Sequence, residues 1–327
     1  MKFFTQTHRN NRSKSYGVVL FLGFLVLLTL PLLARSSGYI LQVFTHALLL
    51  SSLALAWNLL GVSGSISLGH AAFFGVGAYA SALLSLEKGL TPWITIPVAG
   101  LFAAGIGLMM GLICLRLRGA YFALATLAFV EIPRVITDNW DSLTKGSLGI
   151  VGISGLPTLR IGHWHVDFGS SLIASYYLIF VYSVALLSLV TLVLRSNLGL
   201  ALQAIREEEV AAEAVGVQTD RYRFGSMLLS AFFTGISGAY YAHLVRYIEP
   251  GLVYGLHFSA VPMIFAICGG RFTILGPAVA ALVLYPVDQF IFHPLLPAGH
   301  EFLYGAVLIL TVFFMPEGFF GRQLNIQ

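Results

Sequence analysis

The chain has 327 residues, of which 57% are hydrophobic and only 10% are charged. Because a soluble protein of this size carries about 25% charged residues, the composition excludes an ordinary soluble domain. In such a protein the net charge of +4 informs about membrane topology, and no nucleic-acid partner is expected. The two cysteines provide no disulfide framework. Several apolar runs reach the roughly 20 residues that a membrane-spanning helix needs. The sequence therefore predicts an all-α integral membrane protein in a lipid bilayer.

The chain begins with a basic tail, residues 1–15, and an apolar run at 16–34. This pair is similar to a signal peptide in outline. The apolar run is too long for a signal-peptide core, however, and no cleavage-site pattern follows it. We expect the tail to be cytoplasmic and the run to be an uncleaved first membrane helix.

Ten apolar segments are predicted as membrane helices, and together they form one transmembrane domain at 16–320. Only Leu275 and the glycines around it divide the eighth segment from the ninth, so eight or nine helices remain possible. The predicted spans are 16–34, 39–60, 70–86, 93–115, 119–137, 171–194, 224–244, 257–274, 276–292 and 301–315.

Basic residues indicate the orientation, because Lys and Arg accumulate in cytoplasmic loops. With a cytoplasmic N-terminus, counting crossings places the segment 195–223 and the C-terminus in the cytoplasm. The same count places Arg116 and Arg118 there. The Gly- and Ser-rich loop 138–170 falls outside, where we expect a structured cap. The other outer loops are 87–92 and 293–300.

The connection between the second and third segments reads GVSGSISLGH. Glycines interrupt a helix, and serine hydroxyls satisfy the backbone groups that the interruption frees. Transporters use such broken helices to present backbone dipoles to a polar solute. A plain cytoplasmic turn explains the pattern equally well. The candidates for a substrate path or gate are Gly61, Gly64, Ser65, Ser67, Gly69 and His70.

Charged residues inside apolar segments are costly in lipid. Glu131 and Arg134 stand three residues apart and are predicted to pair on one helix face. Asp288 and Arg271 are predicted near an interface, where their side chains reach water. The tryptophans near segment ends are predicted to be interfacial anchors. They are Trp57, Trp93, Trp140 and Trp164.

The segment 195–223 crowds four glutamates between long apolar runs. Good helix formers lie between an N-cap at Ser196 or Asn197 and a C′ glycine at Gly216, so we predict a cytoplasmic helix. Its partial amphipathic pattern suits docking into a groove of a partner, although a solvated loop is an alternative. No P-loop of the form GxxxxGK[ST] occurs, so ATP is not expected to bind this chain by that route. His163 and His165 are too weak a pattern to predict a metal site, and no catalytic residue is predicted.

Three long motifs carry a resemblance to a known family. They are AIREEEVAAEAVGV followed by RYRFGSMLLSAFFTGISGAYYAHLVRYIEP, GSISLGHAAFFGVGAYASALL, and LRLRGAYFALATLAFVEIPRVITDNWDSLTKGSLGIVGI. In their order along the chain they resemble the LivM-like permease subunits of branched-chain amino acid ABC importers. The resemblance extends from about Ile40 to Gly321.

The resemblance implies a heteromeric importer in the bacterial cytoplasmic (inner) membrane. A LivM-like and a LivH-like permease would pair, and two cytoplasmic ATPase subunits would bind beneath them and hold ATP and Mg. A periplasmic or extracellular binding protein would deliver leucine, isoleucine or valine. The 16–320 domain would be the permease, without a cofactor or ATPase site of its own, and would move the substrate inward by alternating access.

The family also implies a cytoplasmic coupling loop with the pattern EAA-x-x-x-G. Ala211, Ala212 and Gly216 match it, whereas Val210 stands at the glutamate position and Glu209 lies one residue earlier. Arg271 and its neighbour Phe272 make a Gly-rich turn of the family bulkier. The residues expected to couple to the ATPase are Arg206, Glu207, Glu208, Glu209, Ala211, Ala212, Glu213 and Gly216.

Two other functions fit the sequence. A urea or short-amide permease of the same superfamily would differ mainly in its binding protein. An ion-coupled secondary transporter would work alone, through residues such as Glu131 or Asp288.

Overall fold

The computed structural model describes residues 22–33, 37–161, 164–270, 272–297, 299–315 and 318–319. The predictions for the basic tail and for Arg271 concern residues outside this part of the chain. The helices are α1 (Leu22–Leu33), α2 (Gly38–Gly61), α3 (His70–Lys88), α4 (Pro92–Cys114), α5 (Ala120–Asn139), α6 (Asp141–Thr144), α7 (Leu172–Leu194), α8 (Asn197–Glu207), α9 (Glu209–Ala214), α10 (Thr219–Val245), α11 (Pro250–Val253), α12 (His257–Gly269), α13 (Gly276–Val287), α14 (His293–Leu295) and α15 (His300–Phe314). The strands are β1 (Ile150–Val151), β2 (Thr158–Ile161), β3 (Trp164–Asp167) and β4 (Tyr247–Ile248).

Every predicted apolar segment overlaps a described helix, and the all-α membrane fold is confirmed at this level. In the part of the chain that the structure describes, seven spans are long and apolar enough to cross a membrane. Helices α1, α3 and α15 are not among the seven, so ten crossings stay a prediction. The seven are α2, α4, α5, α7, α10, the span from α11 to α12 and the span from α13 to α14.

Helix α10 lies at the centre of the bundle, packed against α2, α3 and α4. Small residues let these helices approach closely. A Cβ atom on Gly77 of α3 would lie 2.2 Å from the carbonyl oxygen of Gly235 on α10, and one on Gly107 of α4 would lie 2.6 Å from the Cβ of Ala231. The spacing of small residues in the sequence therefore reflects helix packing.

The loop 138–170 forms an ordered cap at one end of the bundle. It contains α6, a 3-10 turn at Gly146–Leu148 and three short strands. β1 pairs antiparallel with β4, with Ile150 opposite Ile248, and β2 pairs antiparallel with β3. The hydroxyls of Ser85 and Ser154 lie 2.5 Å apart and connect the cap to α3. The structured cap is confirmed, although its strands were not predicted.

Three of the charged groups in apolar segments have partners inside the chain. Arg134 donates to Glu131 at 3.1 Å, so the predicted i,i+3 pair is confirmed. Asp288 differs from its prediction: it lies in a π-helical turn, Asp288–Phe292, and is 1% exposed. The prediction that Asp288 reaches water at an interface is therefore wrong. The Gln289 side chain donates to its carboxylate at 3.0 Å, which helps to accommodate the burial.

Candidate coupling site

The polar segment 195–223 folds into two short helices and the start of α10. Ser196 caps α8, because its hydroxyl accepts from the N–H of Leu198 at 3.3 Å. Glu208 has an extended backbone (φ −161°, ψ 104°) and separates α8 from α9. Gly216 follows α9 with a φ of +91°, a value that glycine adopts readily. The N-cap and the C-terminal glycine are confirmed, whereas the prediction of one continuous helix is wrong.

One face of this segment is packed against the bundle. Leu202, Ile205 and Ala212 are buried. Leu202 and Ile205 join an apolar cluster with residues of α2 and α7, among them Leu59 and Val190. Burial of these side chains fixes α8 against the membrane helices, since each contributes roughly 1.5–3 kcal/mol of apolar transfer free energy.

The opposite face exposes apolar side chains. Leu200, Val210 and Val215 are 61%, 62% and 80% exposed. Ala204, Ala211 and Ala214 are exposed beside them. Exposed apolar patches with a polar rim mark interaction sites. The partial amphipathic pattern of the sequence comes from Ile205, Ala212 and Val215. The first two are buried, and Val215 belongs to the exposed apolar face.

Glu209 is held by two arginines of its own chain. Arg223 Nη1 donates to Glu209 Oε1 at 3.3 Å, and Arg118 Nε lies 3.4 Å from Oε2. Arg223 Nη2 donates to the Ser65 hydroxyl at 3.2 Å. We call this set of four residues (Ser65, Arg118, Glu209 and Arg223) the arginine clasp. It connects α9, α10, the start of α5 and the loop that follows α2.

The loop between α2 and α3, residues 62–69, is irregular and largely buried. Its backbone groups are paired by side chains, as irregular structure in a membrane protein requires. The Trp57 indole donates to the Ser67 carbonyl at 2.8 Å, and the Leu68 N–H donates to Thr126 Oγ1 at 3.0 Å. Trp57 is only 1% exposed, so the prediction that it anchors at an interface is wrong. Trp93 and Trp140 are exposed, at 36% and 50%.

A cavity of about 470 Å³ brings the two sets of predicted residues together. The first set contributes Gly64 and Ser65, and the second contributes Arg206 and Glu209. The loop 62–69, the connection between α4 and α5 and the segment 195–223 therefore line one cavity. The cavity is lined by Ser63, Gly64, Ser65, Ile66, Arg118, Gly119, Ala120, Phe122, Ala123, Ile205, Arg206, Glu209 and Arg223.

Arg206 lines the cavity, but its guanidinium pairs with Glu207 and lies 4.3 Å from the centroid of the Phe272 ring. Several other predicted residues lie outside the cavity. Glu213 accepts from the Thr219 hydroxyl at 2.7 Å. His70 is buried and its Nε2 lies 2.8 Å from Ser230 Oγ. The other predicted residues that do not line the cavity are Gly61, Ser67, Gly69, Glu207, Glu208, Ala211, Ala212 and Gly216.

Sequence reasoning missed the roles of Arg118 and Arg223. From sequence alone, the arginines of these loops indicate only the membrane orientation. The available signal was that Arg223 occurs next to an apolar helix start, where a buried arginine needs an acidic partner. The partner, Glu209, is 14 residues away in sequence.

The sequence comparisons agree with this architecture. The model of a family described as "Branched-chain amino acid transport system / permease component" matches residues 39–312. The chain belongs to this permease family.

The relatives of the chain include LivM and LivH permease proteins. The chain is 32% identical to the "High-affinity branched-chain amino acid transport system permease protein LivM" of Escherichia coli (strain K12), over 79% of this chain and 64% of that protein. The LivM protein of Salmonella typhimurium is 31% identical over 85% of this chain and 69% of its own length. The LivH permease protein of Salmonella typhimurium is 24% identical over 87% of this chain and 96% of that protein. The match thus spans about two thirds of the LivM proteins. No solved structure matches the chain.

Proposed function

We propose that the chain is a membrane subunit of an ATP-driven importer that moves branched-chain amino acids inward by alternating access. It would pair with a LivH-like permease, receive substrate from an external binding protein and dock two cytoplasmic ATPase subunits that hold ATP and Mg. The bacterial cytoplasmic membrane would contain it, with both termini in the cytoplasm. Membership of the permease family and the names of the LivM and LivH relatives support this proposal.

The observation that carries the proposal is the exposed apolar face of α8 and α9. Leu200, Val210 and Val215 lie outward on a segment whose other face is buried and ion-paired. A docking segment must expose apolar side chains that the partner can cover, and its own chain must hold it in place. The matches of Ala211, Ala212 and Gly216 to the coupling pattern lie on the same segment.

The arginine clasp offers a route for motion from this segment to the membrane helices. Movement of α9 would act on α10 through Arg223 and on the loop 62–69 through Ser65. In the proposal that loop is a gate or part of the substrate path, and Glu207, Glu208 and Glu213 supply polar contacts at the rim. Differential binding of the ATPases to two states would drive the switch, as any ligand-driven change requires.

A charge placed on the exposed apolar face tests the docking. We expect Val215→Asp to lower ATPase association and leucine uptake at least tenfold, since an aspartate buried in an apolar interface loses its hydration. Co-purification of the ATPase subunits with the chain and uptake by cells or proteoliposomes measure the two effects.

The matched control is Val151→Asp, because Val151 is 74% exposed in β1 of the cap. Its ATPase association is expected to stay unchanged. Normal ATPase association of Val215→Asp, with normal uptake, would contradict the docking role.

A further inference from the structure

We infer that the cavity beside the arginine clasp binds a phosphate group, from an anionic lipid headgroup or from free phosphate. Arg118, Arg206 and Arg223 line the cavity with a single carboxylate, that of Glu209. Outside the cavity, Glu207 pairs with Arg206. Because three arginines then face only two glutamates, the local charge stays positive. The guanidinium groups of Arg118 and Arg223 meet at Glu209 beside this volume, and two such groups favour a planar or tetrahedral oxyanion.

The start of α5 adds a second source of positive potential. Helix α5 begins at Ala120 behind Gly119, and its first turn has no side-chain cap. The first N–H groups of a helix have no partners within the helix, so they attract an anion. Ala120 and Phe122, in that first turn, line the cavity.

Arg223 provides an independent observation. It is 5% exposed and lines the cavity, and its Nε–H has no hydrogen-bond partner among the described residues. Its two other nitrogens donate to Glu209 and Ser65. A buried charged donor without an acceptor is costly, and an anion in the cavity would satisfy it.

The surroundings suit a lipid as the source of the phosphate. Tyr121 and Leu124 lie beside the cavity on the outer face of α5, at 75% and 61% exposure. Acyl chains could pack on this face while the headgroup enters the cavity. Basic pockets between membrane helices on the cytoplasmic side bind anionic headgroups. That placement rests on the orientation given under the proposed function.

The test is phosphate-dependent stabilisation of the purified full chain in a neutral detergent. The probes are a short-chain phosphatidylglycerol, a short-chain phosphatidylcholine and inorganic phosphate, at constant ionic strength. We expect phosphatidylglycerol to raise Tm saturably and phosphatidylcholine not to do so. Arg118→Gln should weaken this binding roughly tenfold, because it removes one charge-assisted contact.

Arg116→Gln is the matched control, since Arg116 is exposed two residues away and does not line the cavity. A response to inorganic phosphate as well would identify the phosphate group alone as the ligand, and a response to phosphatidylglycerol only would identify the lipid. Equal weakening by Arg116→Gln and Arg118→Gln, or no anion dependence, would overturn the inference. Neither result depends on transport, so the proposed function is tested separately.

Discussion

Replacing Gly77 by valine is expected to prevent the bundle from packing. Gly77 of α3 crosses Gly235 of α10 so closely that a Cβ atom would lie 2.2 Å from a backbone oxygen and 2.6 Å from the Gly235 Cα. Backbone atoms of two helices cannot rearrange as a flexible side chain can. The added volume would force α3 away from α10, at a cost of about 3 kcal/mol or more. The measurement is the Tm of the purified protein in detergent, together with its monodisperse yield.

Gly105→Val is the matched control. Gly105 also lies within a helix, α4, but no atom lies within 4 Å of the position that its Cβ would occupy. Its Tm should stay close to that of the wild type, because valine there faces outward. If Gly77→Val had the same Tm as Gly105→Val, the close crossing of α3 and α10 would be wrong.

Breaking the arginine clasp is expected to separate ATP hydrolysis from transport. In Arg223→Gln, α9 loses its ion pair with α10, while the exposed apolar face stays unchanged. We expect the ATPase subunits to bind and hydrolyse ATP, and leucine uptake per ATP to fall roughly tenfold or more. That is the scale of a coupling free energy of about 1–3 kcal/mol. Uptake and phosphate release by the same proteoliposomes measure the ratio.

Two further variants separate coupling from stability. Arg221→Gln removes an exposed charge two residues away on α10 and should leave the ratio unchanged. In Arg223→Gln the partly buried Glu209 carboxylate keeps only the exposed Arg118 as its partner. Adding Glu209→Gln removes that carboxylate, so the Tm of the double variant should exceed that of Arg223→Gln. If leucine uptake by the double variant recovered together with its Tm, the ion pair would be purely structural. That result would contradict its role in transmitting motion from α9 to α10.

Features set by local sequence could be predicted. The apolar segments were located within a few residues because each one reflects only the length and composition that a membrane helix needs. Ser196 and Gly216 were identified because a cap depends on a residue and its neighbours. The Glu131–Arg134 pair lies within one helix and follows from its spacing.

Features set by tertiary contacts could not be predicted. The extended backbone of Glu208 divides α8 from α9, and Glu209, at the start of α9, meets Arg118 and Arg223, which lie elsewhere in the sequence. Trp57 stands near a segment end, where an interfacial anchor is expected, but its indole N–H donates to the Ser67 carbonyl in the loop 62–69. Strand β1 of the cap pairs with β4, which lies nearly 100 residues later. No local pattern contains these partners.

The most direct test of the central claim is leucine uptake by proteoliposomes. They would contain the chain, a LivH-like permease and two ATPase subunits, with the binding protein added outside. We expect leucine to accumulate only when ATP is supplied on the ATPase side. Uptake of urea in place of leucine would indicate the short-amide permease instead. Accumulation by the chain alone, driven by a proton or sodium gradient without ATP, would contradict the account.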